Sequence, residues 1–230
     1  MQNNCIEKTE IDEKIKNLEN IYLHFAEKMK KEGVPLADDG RVDMDLFLES
    51  FKEKNAVLKD KEAVNTKMAS FEDSSNFGDI AELFVTIIFN KYAKENLLIF
   101  RSSIYDDIVN NVDIVIIDKR TLQPLCAIDV ASSIVSGSFK NKQSVVRKKK
   151  GVTTIKYGIT HSEGKVKLET LEKVPLFVLG FPLEEKMDLI DSIDAETFKK
   201  DEFDLFKFFT MFINLQCQEH NFPLLFDDVT

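Results

Sequence analysis

Tryptophan is missing from this 230-residue chain, tyrosine occurs four times and cysteine three times. The cysteines, Cys5, Cys126 and Cys217, are far apart and odd in number. That excludes a C-x-x-C zinc site and argues against a disulfide framework, so a reducing, cytoplasmic setting is expected. No run of about 18 apolar residues occurs, so no membrane-spanning helix is expected. The opening MQNNCIEKTEIDEK lacks the apolar stretch of a secretory signal. Internal repeats and low-complexity segments are also absent. Neither G-x-G-x-x-G nor G-x-x-x-x-G-K-[ST] is found, which leaves nucleotide binding of those types without support. The three histidines give little to a Ser-His-Asp or Cys-His hydrolase, because His24 and His220 fall in helical flanks and His161 at a strand end.

Hydrophobic residues make up 43% of the chain and charged residues 31%, a globular composition. Nineteen phenylalanines beside no tryptophan read as core filler. The net charge of −9 taken alone argues against a nucleic-acid partner. The distribution argues otherwise. Between Ser138 and Lys173 there are ten Lys or Arg and three acids, a window of +7, so the remainder carries −16. A basic stretch on an acidic protein is the electrostatic footprint of a polyanion site, with a solvated helix face as the plainer alternative.

Residues 1–70 read as helical and polar. Ile15, Leu18, Ile21, Tyr22, Phe25 and Met29 recur at three- and four-residue spacing, an amphipathic helix that Gly33-Val34-Pro35 ends. A second helix with Leu46, Phe47 and Phe51 is expected after the Asp38-Asp39-Gly40 turn. Lys52–Ser70, charged and without a strong period, reads as a linker. The middle, 71–183, changes character. Phe77 to about Ala93 is an apolar helix. Strands are expected at Leu97–Phe100, Val112–Ile117 and Leu125–Val130, then a basic helix from Phe139 to Lys150 stopped by Gly151. Further strands follow at Thr153–Ile159, Lys165–Thr170 and Pro175–Phe181. The order implies an α/β or α+β domain, a central mixed sheet flanked by helices. Residues 184–230 are expected to be helical from about Ala195 to His220, with Phe198, Leu205, Phe208, Phe209, Phe212 and Leu215 on the apolar face.

Three carboxylates sit where burial disfavours them. Alternate residues of a strand share a face, so Asp113 lies with Val115 and Ile117 on a strand apolar on both sides. Asp129 lies with Leu125, Ala127 and Ala131 in the same situation. Charged groups are rarely buried unless paired or bound to a metal. Two such strands joined by the short segment Asp118–Pro124 bring the carboxylates side by side, where a cation or a proton is needed. Hard oxygen ligands suit Mg²⁺ or Mn²⁺. Glu82, on the Phe77 helix, has Gly78, Val85 and Phe89 along its flank rather than solvating groups, so it is the third candidate. Asp106 and Asp107 read as loop and turn residues, with Asp107 a reserve ligand.

The pieces Glu82, the Asp113 of NNVDIVIID and the Asp129 of CAIDVAS resemble, in order and context, the PD-(D/E)XK nuclease superfamily and its restriction-endonuclease-like fold. The resemblance covers roughly residues 72–182, leaving helical extensions at both ends. Two departures stand out. Val112 replaces the motif proline, and Ala131 occupies the position of the motif lysine. In some members that lysine comes from the following helix. Lys142, three residues after Phe139 and four before Val146, shares the sheet-facing side of the basic helix, and Lys149 is the runner-up.

What the resemblance implies is a Mg²⁺- or Mn²⁺-dependent nuclease acting on DNA. Asp113 and Asp129 would ligate metal with the Val130 carbonyl, and Glu82 would complete or orient the site. Lys142 would stabilise transition-state charge. Lys140, Arg147, Lys148, Lys149, Lys150 and Lys156 would hold the phosphate backbone. Two alternatives stand beside it. One is a catalytically inactive module of the same fold that binds nucleic acid or protein, favoured by Ala131. The other is a helical structural or interaction protein. The helical flanks are also the expected surface for a homodimer.

Overall fold

The computed structural model describes residues 2–48, 55–69, 77–93, 95–162 and 165–226. The chain opens with α1 (Gln2–Lys31), which buries Leu18, Tyr22, Phe25, Ala26 and Met29, the stripe that the three- and four-residue spacing predicts. Gly33 takes φ +90°, and the Val34 amide returns to Met29 O at 3.0 Å, closing the helix. Gly40, at φ +77°, is required for a second reason, since a Cβ there would meet Tyr22 Cε1 at 2.6 Å. The Tyr22 hydroxyl donates to Gly40 O (2.7 Å) and accepts from the Arg101 amide (3.0 Å). One phenol thereby ties α1, the 40–41 turn and the end of the first strand together.

The second helix expected around Leu46 and Phe47 is only a 3₁₀ turn, Met44–Phe47. Leu46 is exposed there while Phe47 is buried, and Phe51 lies outside the described residues. The expected linker contains α2 (Ala56–Met68). Its buried residues Val57, Asp60 and Val64 follow a helical stripe that contains an acid, so a reading by hydrophobicity alone misses it.

α3 (Phe77–Tyr92) is buried from Ile80 through Lys91, as befits a helix apolar all round. It packs on α1, on the sheet and on the last helix. Five strands follow in one mixed sheet: β1 (Leu97–Arg101), β2 (Ile114–Asp118), β3 (Pro124–Ala131), β4 (Val152–Ser162) and β5 (Lys165–Gly180). Their spatial order is β1-β2-β3-β5-β4. β1–β2 and β2–β3 are antiparallel, β3–β5 is parallel and β4–β5 antiparallel. Val112–Ile117 and Leu125–Val130 are thus sheet neighbours. The segments Lys165–Thr170 and Pro175–Phe181, expected as separate strands, belong to the single 16-residue β5. The intervening Lys173 (φ +58°) and register shifts against β4 absorb the break in pattern without ending the strand.

α4 (Gly137–Lys148) joins β3 to β4, with the Ser136 hydroxyl capping it at the Phe139 amide (3.1 Å). Gly180 lets it settle on β5, since a Cβ there would stand 2.9 Å from Phe139 Cε2. After α5 (Met187–Ser192), α6 (Lys200–His220) closes the molecule. Its buried stripe is Glu202, Leu205, Phe206, Phe209, Thr210, Ile213, Gln216 and Cys217. Leu205 and Phe209 belong to it as expected, whereas Leu215 is exposed and Phe198, which precedes the helix, is exposed too. The polar members displace the apparent centre of the apolar face. Lys91 and Glu202 pair between α3 and α6 with no exposed side-chain surface. One hydrophobic core runs from Leu18 to Phe226 and includes residues of all three sequence regions.

Candidate functional site

The antiparallel register pairs Ile114 with Ile128 and Val115 with Ala127. Asp113, one residue before the first pair, therefore comes alongside Asp129, one residue after it. The Asp113 amide donates to Ile128 O at 2.9 Å, and its Oδ2 accepts from the Val130 amide at 2.6 Å. Asp113 and Asp129 are 8% and 2% exposed, so two carboxylates are held below the surface by the strands themselves. Lys142 reaches them from α4, where Phe139 and Val146 face the core. Its ammonium bonds Asp129 Oδ1, donates to Val130 O at 2.6 Å, and stands 3.9 Å from Asp113 Oδ2.

A second set of charges adjoins this one. Glu82 projects from α3, and Oε1 accepts from Arg101 Nε at 2.8 Å and from Arg41 Nη2 at 3.4 Å. Arg41 Nη1 lies 2.9 Å from Asp107 Oδ2, an ion-pair contact without hydrogen-bond alignment. Asp107 is carried by a π-helical turn, Asp106–Asn110. Asp106 is the anchor of that turn. Its Oδ1 accepts from the Lys156 amide and Asn110 Nδ2, both at 2.7 Å, and its Oδ2 from the Ser103 hydroxyl (2.8 Å) and the Tyr157 amide (3.0 Å). Carboxylate oxygens of Glu82, Asp107 and Asp113 all lie within 4.8 Å of one another.

Four carboxylates here face three cations, so one negative charge is in excess if all are ionised. Burial pushes the Asp113 carboxyl well above the usual range. Lys142 opposes the shift, while Glu82, Asp129 and Asp107 add to it. Burial likewise raises Asp129 against the pull of Lys142, and raises Asp107 with help from Glu82. Glu82 alone goes down: burial works upward, but Arg101 and Arg41 outweigh it. The environment thus moves one acid down and the other three up.

Glu82, Asp113, Asp129, Val130 and Lys142 are therefore brought into one neighbourhood, but not as a uniform ligand shell. Asp107, read as a reserve, stands in the tight carboxylate group, while Asp129 is turned to Lys142. The two arginines have no place in the sequence reading. Arg101 carried a signal, because a charge ending an apolar strand poses the same burial problem as Asp113. Arg41 carried none, since it follows an ordinary Asp-Gly turn and is delivered by the Tyr22 bridge.

The predicted phosphate-contacting residues divide. Lys140, Lys148 and Lys150 are exposed. Arg147 pairs with Glu219 (3.1 Å), Lys149 donates to Asn110 O (3.3 Å), and Lys156 pairs with Asp60 (2.6 Å) and stands over the Tyr105 ring. His24 is exposed on α1 and His220 packs near Gly151 and Phe222; the His161 side chain lies outside the described ones.

The donor chemistry fits a divalent cation. The oxygens on offer are carboxylates and one main-chain carbonyl, the hard set that Mg²⁺ and Mn²⁺ take. Lys142 already stands in for a cation among three of them. Asp113, Asp129 and the Val130 carbonyl could hold such an ion, with Asp107 and Glu82 beside them. Comparison of the chain with protein-family models, with curated proteins and with solved structures finds no match. Among the described residues no helix is long and apolar enough to cross a membrane.

Proposed function

We propose that the chain is a divalent-metal-dependent nuclease of restriction-endonuclease-like architecture, hydrolysing phosphodiester bonds of DNA. One observation carries the reading. Lys142, on the helix after the motif strand, meets Asp113 and Asp129 from adjacent strands, so the cation that Ala131 cannot provide comes from α4, eleven residues further along the chain. When bound, Mg²⁺ or Mn²⁺ supplies Lewis-acid activation of water and neutralises phosphate charge. The protein's own groups do the rest. Asp113 and Asp129 hold the cation, and the paired strands fix their spacing. Arg101 and Arg41 keep Glu82 ionised and oriented. Lys142 stabilises the charge that develops on the phosphate during in-line displacement. Lys140, Lys148 and Lys150 grip the strand on either side.

The test is cleavage of plasmid and linear DNA with Mg²⁺, Mn²⁺ or a chelator, using wild type, Asp129→Asn and Lys142→Ala. Cleavage that needs the ion and falls about 10²-fold or more in both variants is expected, because loss of one electrostatic stabiliser costs about 3 kcal/mol. No cleavage of DNA or RNA by the wild type with either ion rejects the reading.

A second reading has its own observation. Each carboxylate already has a partner: Glu82 two arginines, Asp107 Arg41, Asp129 Lys142 and Asp113 the Val130 amide. In this reading the paired groups are a structural remnant in an inactive module that still binds nucleic acid through the basic helix. DNA binding without cleavage selects it.

A further inference from the structure

Lys142 occupies the cluster in a particular way. Its ammonium takes Asp129 Oδ1 and Val130 O and approaches Asp113 Oδ2, the same oxygens that would form the inner shell of a divalent ion. A Mg²⁺ ion needs such ligands at about 2.1 Å. An ammonium 2.6 Å from the Val130 oxygen and a dication on that oxygen would stand only about 3–5 Å apart, two like charges in a poorly solvated site. Neither strand can retreat, because Asp113 is pinned by the Val130 amide and Asp129 sits in the parallel ladder opposite Val178. The lysine can move. Its side chain keeps 30% of its surface exposed, against 3% for Asp129, and it is attached through a flexible four-carbon stem.

We propose that Lys142 is a built-in competitor for the metal. In the metal-free protein the ammonium fills the cation seat, and a divalent ion must expel it toward solvent, the side from which a phosphate would arrive. The proposal rests on the metal-dependent reading of the site. It gives one residue two effects of opposite sign, holding the metal off in the resting protein and stabilising phosphate charge once displaced. It also accounts for the lysine being on α4 rather than on β3. A lysine at position 131 would be fixed in the strand, whereas one on the helix can occupy the site and leave it.

The experiment is calorimetric titration of the whole protein with Mn²⁺, comparing wild type, Lys142→Met and Lys149→Met. Lys149 is the control, because its charge also reaches Asp129 while its ammonium bonds Asn110 O instead. Lys142→Met should bind Mn²⁺ at least tenfold more tightly than wild type, and Lys149→Met less than threefold more tightly. A second measurement needs no substitution: reductive methylation of wild-type lysines read by mass spectrometry. Labelling of Lys142 should rise severalfold when Mn²⁺ is added, with Lys148 unchanged. Equal or weaker Mn²⁺ binding by Lys142→Met overturns the competitor role while leaving the metal site standing. Equal gains in both variants reduce the effect to the general field and overturn it too, as does labelling of Lys142 that ignores the metal. Absence of Mn²⁺ binding in all three proteins overturns the metal reading itself and this proposal with it.

Discussion

Asp106 illustrates how one side chain can set the geometry of its neighbour, here Asp107. Its two oxygens accept four bonds, from two amides of β4, an asparagine and a serine, and it is fully buried. A site built of donors accepts a carboxylate and refuses an amide, because the NH₂ of Asn would face an N–H. Asp106→Asn should therefore destabilise the protein by about 2–3 kcal/mol, the cost of leaving buried donors unpaired. That corresponds to a fall in Tm of roughly 5–10 °C for a chain of this size. Thermal unfolding followed by circular dichroism measures it, and an unchanged midpoint would mean that the turn is held by something other than Asp106. The residue-level reading of the sequence reached part of this. Asp113 and Asp129 were legible because alternation places them on apolar strand faces, and Lys142 because Phe139 and Val146 mark its helix face. Asp106 and Asp107 look like loop and turn residues in the sequence, but they open a π-helical segment, Asp106–Asn110. That a π-helical turn would bury one and place the other near Glu82 depends on contacts 50 and 51 residues away at Lys156 and Tyr157, which no local pattern reports.

Among the elements, β5 carries the most unusual duty. Its first part pairs with β4 and its last part with β3, and the ladder with β4 ends at Val152 opposite Pro175. Beyond that point the free edge of a buried strand needs partners. Gln216 on α6 supplies them, its Oε1 accepting from the Val178 amide (3.0 Å) and its Nε2 donating to Val178 O (2.9 Å). A side-chain amide here does what a sixth strand would do, and Val178 is the residue opposite Asp129. Gln216→Leu fills similar volume but leaves one N–H and one C=O unsatisfied, at about 1–3 kcal/mol for each. Urea unfolding should show a loss of at least 2 kcal/mol or so; a loss under about 0.5 kcal/mol would mean that the edge finds other partners. The same arrangement explains which elements were legible. Strands that alternate or run apolar, and helices with three- and four-residue stripes, were readable along their length. β5 looked like two strands because its pattern changes where its partner changes. α2 was hidden because Asp60, an acid, occupies its buried stripe to receive Lys156 and the Tyr157 hydroxyl. α6 was legible in part: Leu205 and Phe209 are buried and Phe208 and Phe212 pack on the core, while Glu202 and Gln216 are buried for their bonds with Lys91, Tyr92 and Val178 rather than for hydrophobicity.

At the scale of the whole molecule the question is how a protein of net charge −9 could hold a polyanion. Its body repels DNA at long range, so attraction depends on a local field that prevails only within about a Debye length, roughly 8 Å at physiological salt. The basic window supplies less than its +7 suggests, because Arg147 and Lys156 are paired with Glu219 and Asp60 outside it and Lys142 is committed to the carboxylates. Lys140, Lys148 and Lys150 remain exposed on or just after α4, the helix that also delivers Lys142. Under the proposed function, a nucleic-acid backbone drawn to them would arrive beside the cluster. Each phosphate contact contributes about 0.9 to the slope of log affinity against log salt. Lys148→Glu combined with Lys150→Glu should weaken DNA binding and reduce that slope by roughly two units, with the fold intact because neither side chain is buried. Fluorescence anisotropy across a salt series, in the presence of a chelator so that no cleavage intervenes, gives both numbers. The control is Lys28→Glu combined with Lys31→Glu, a charge change of the same sign and size at exposed positions of α1. A fall in slope confined to the α4 variant assigns the contact to this helix; equal falls in both variants make the attraction a property of total charge, and wild-type binding that ignores salt makes the basic stretch a solvated face.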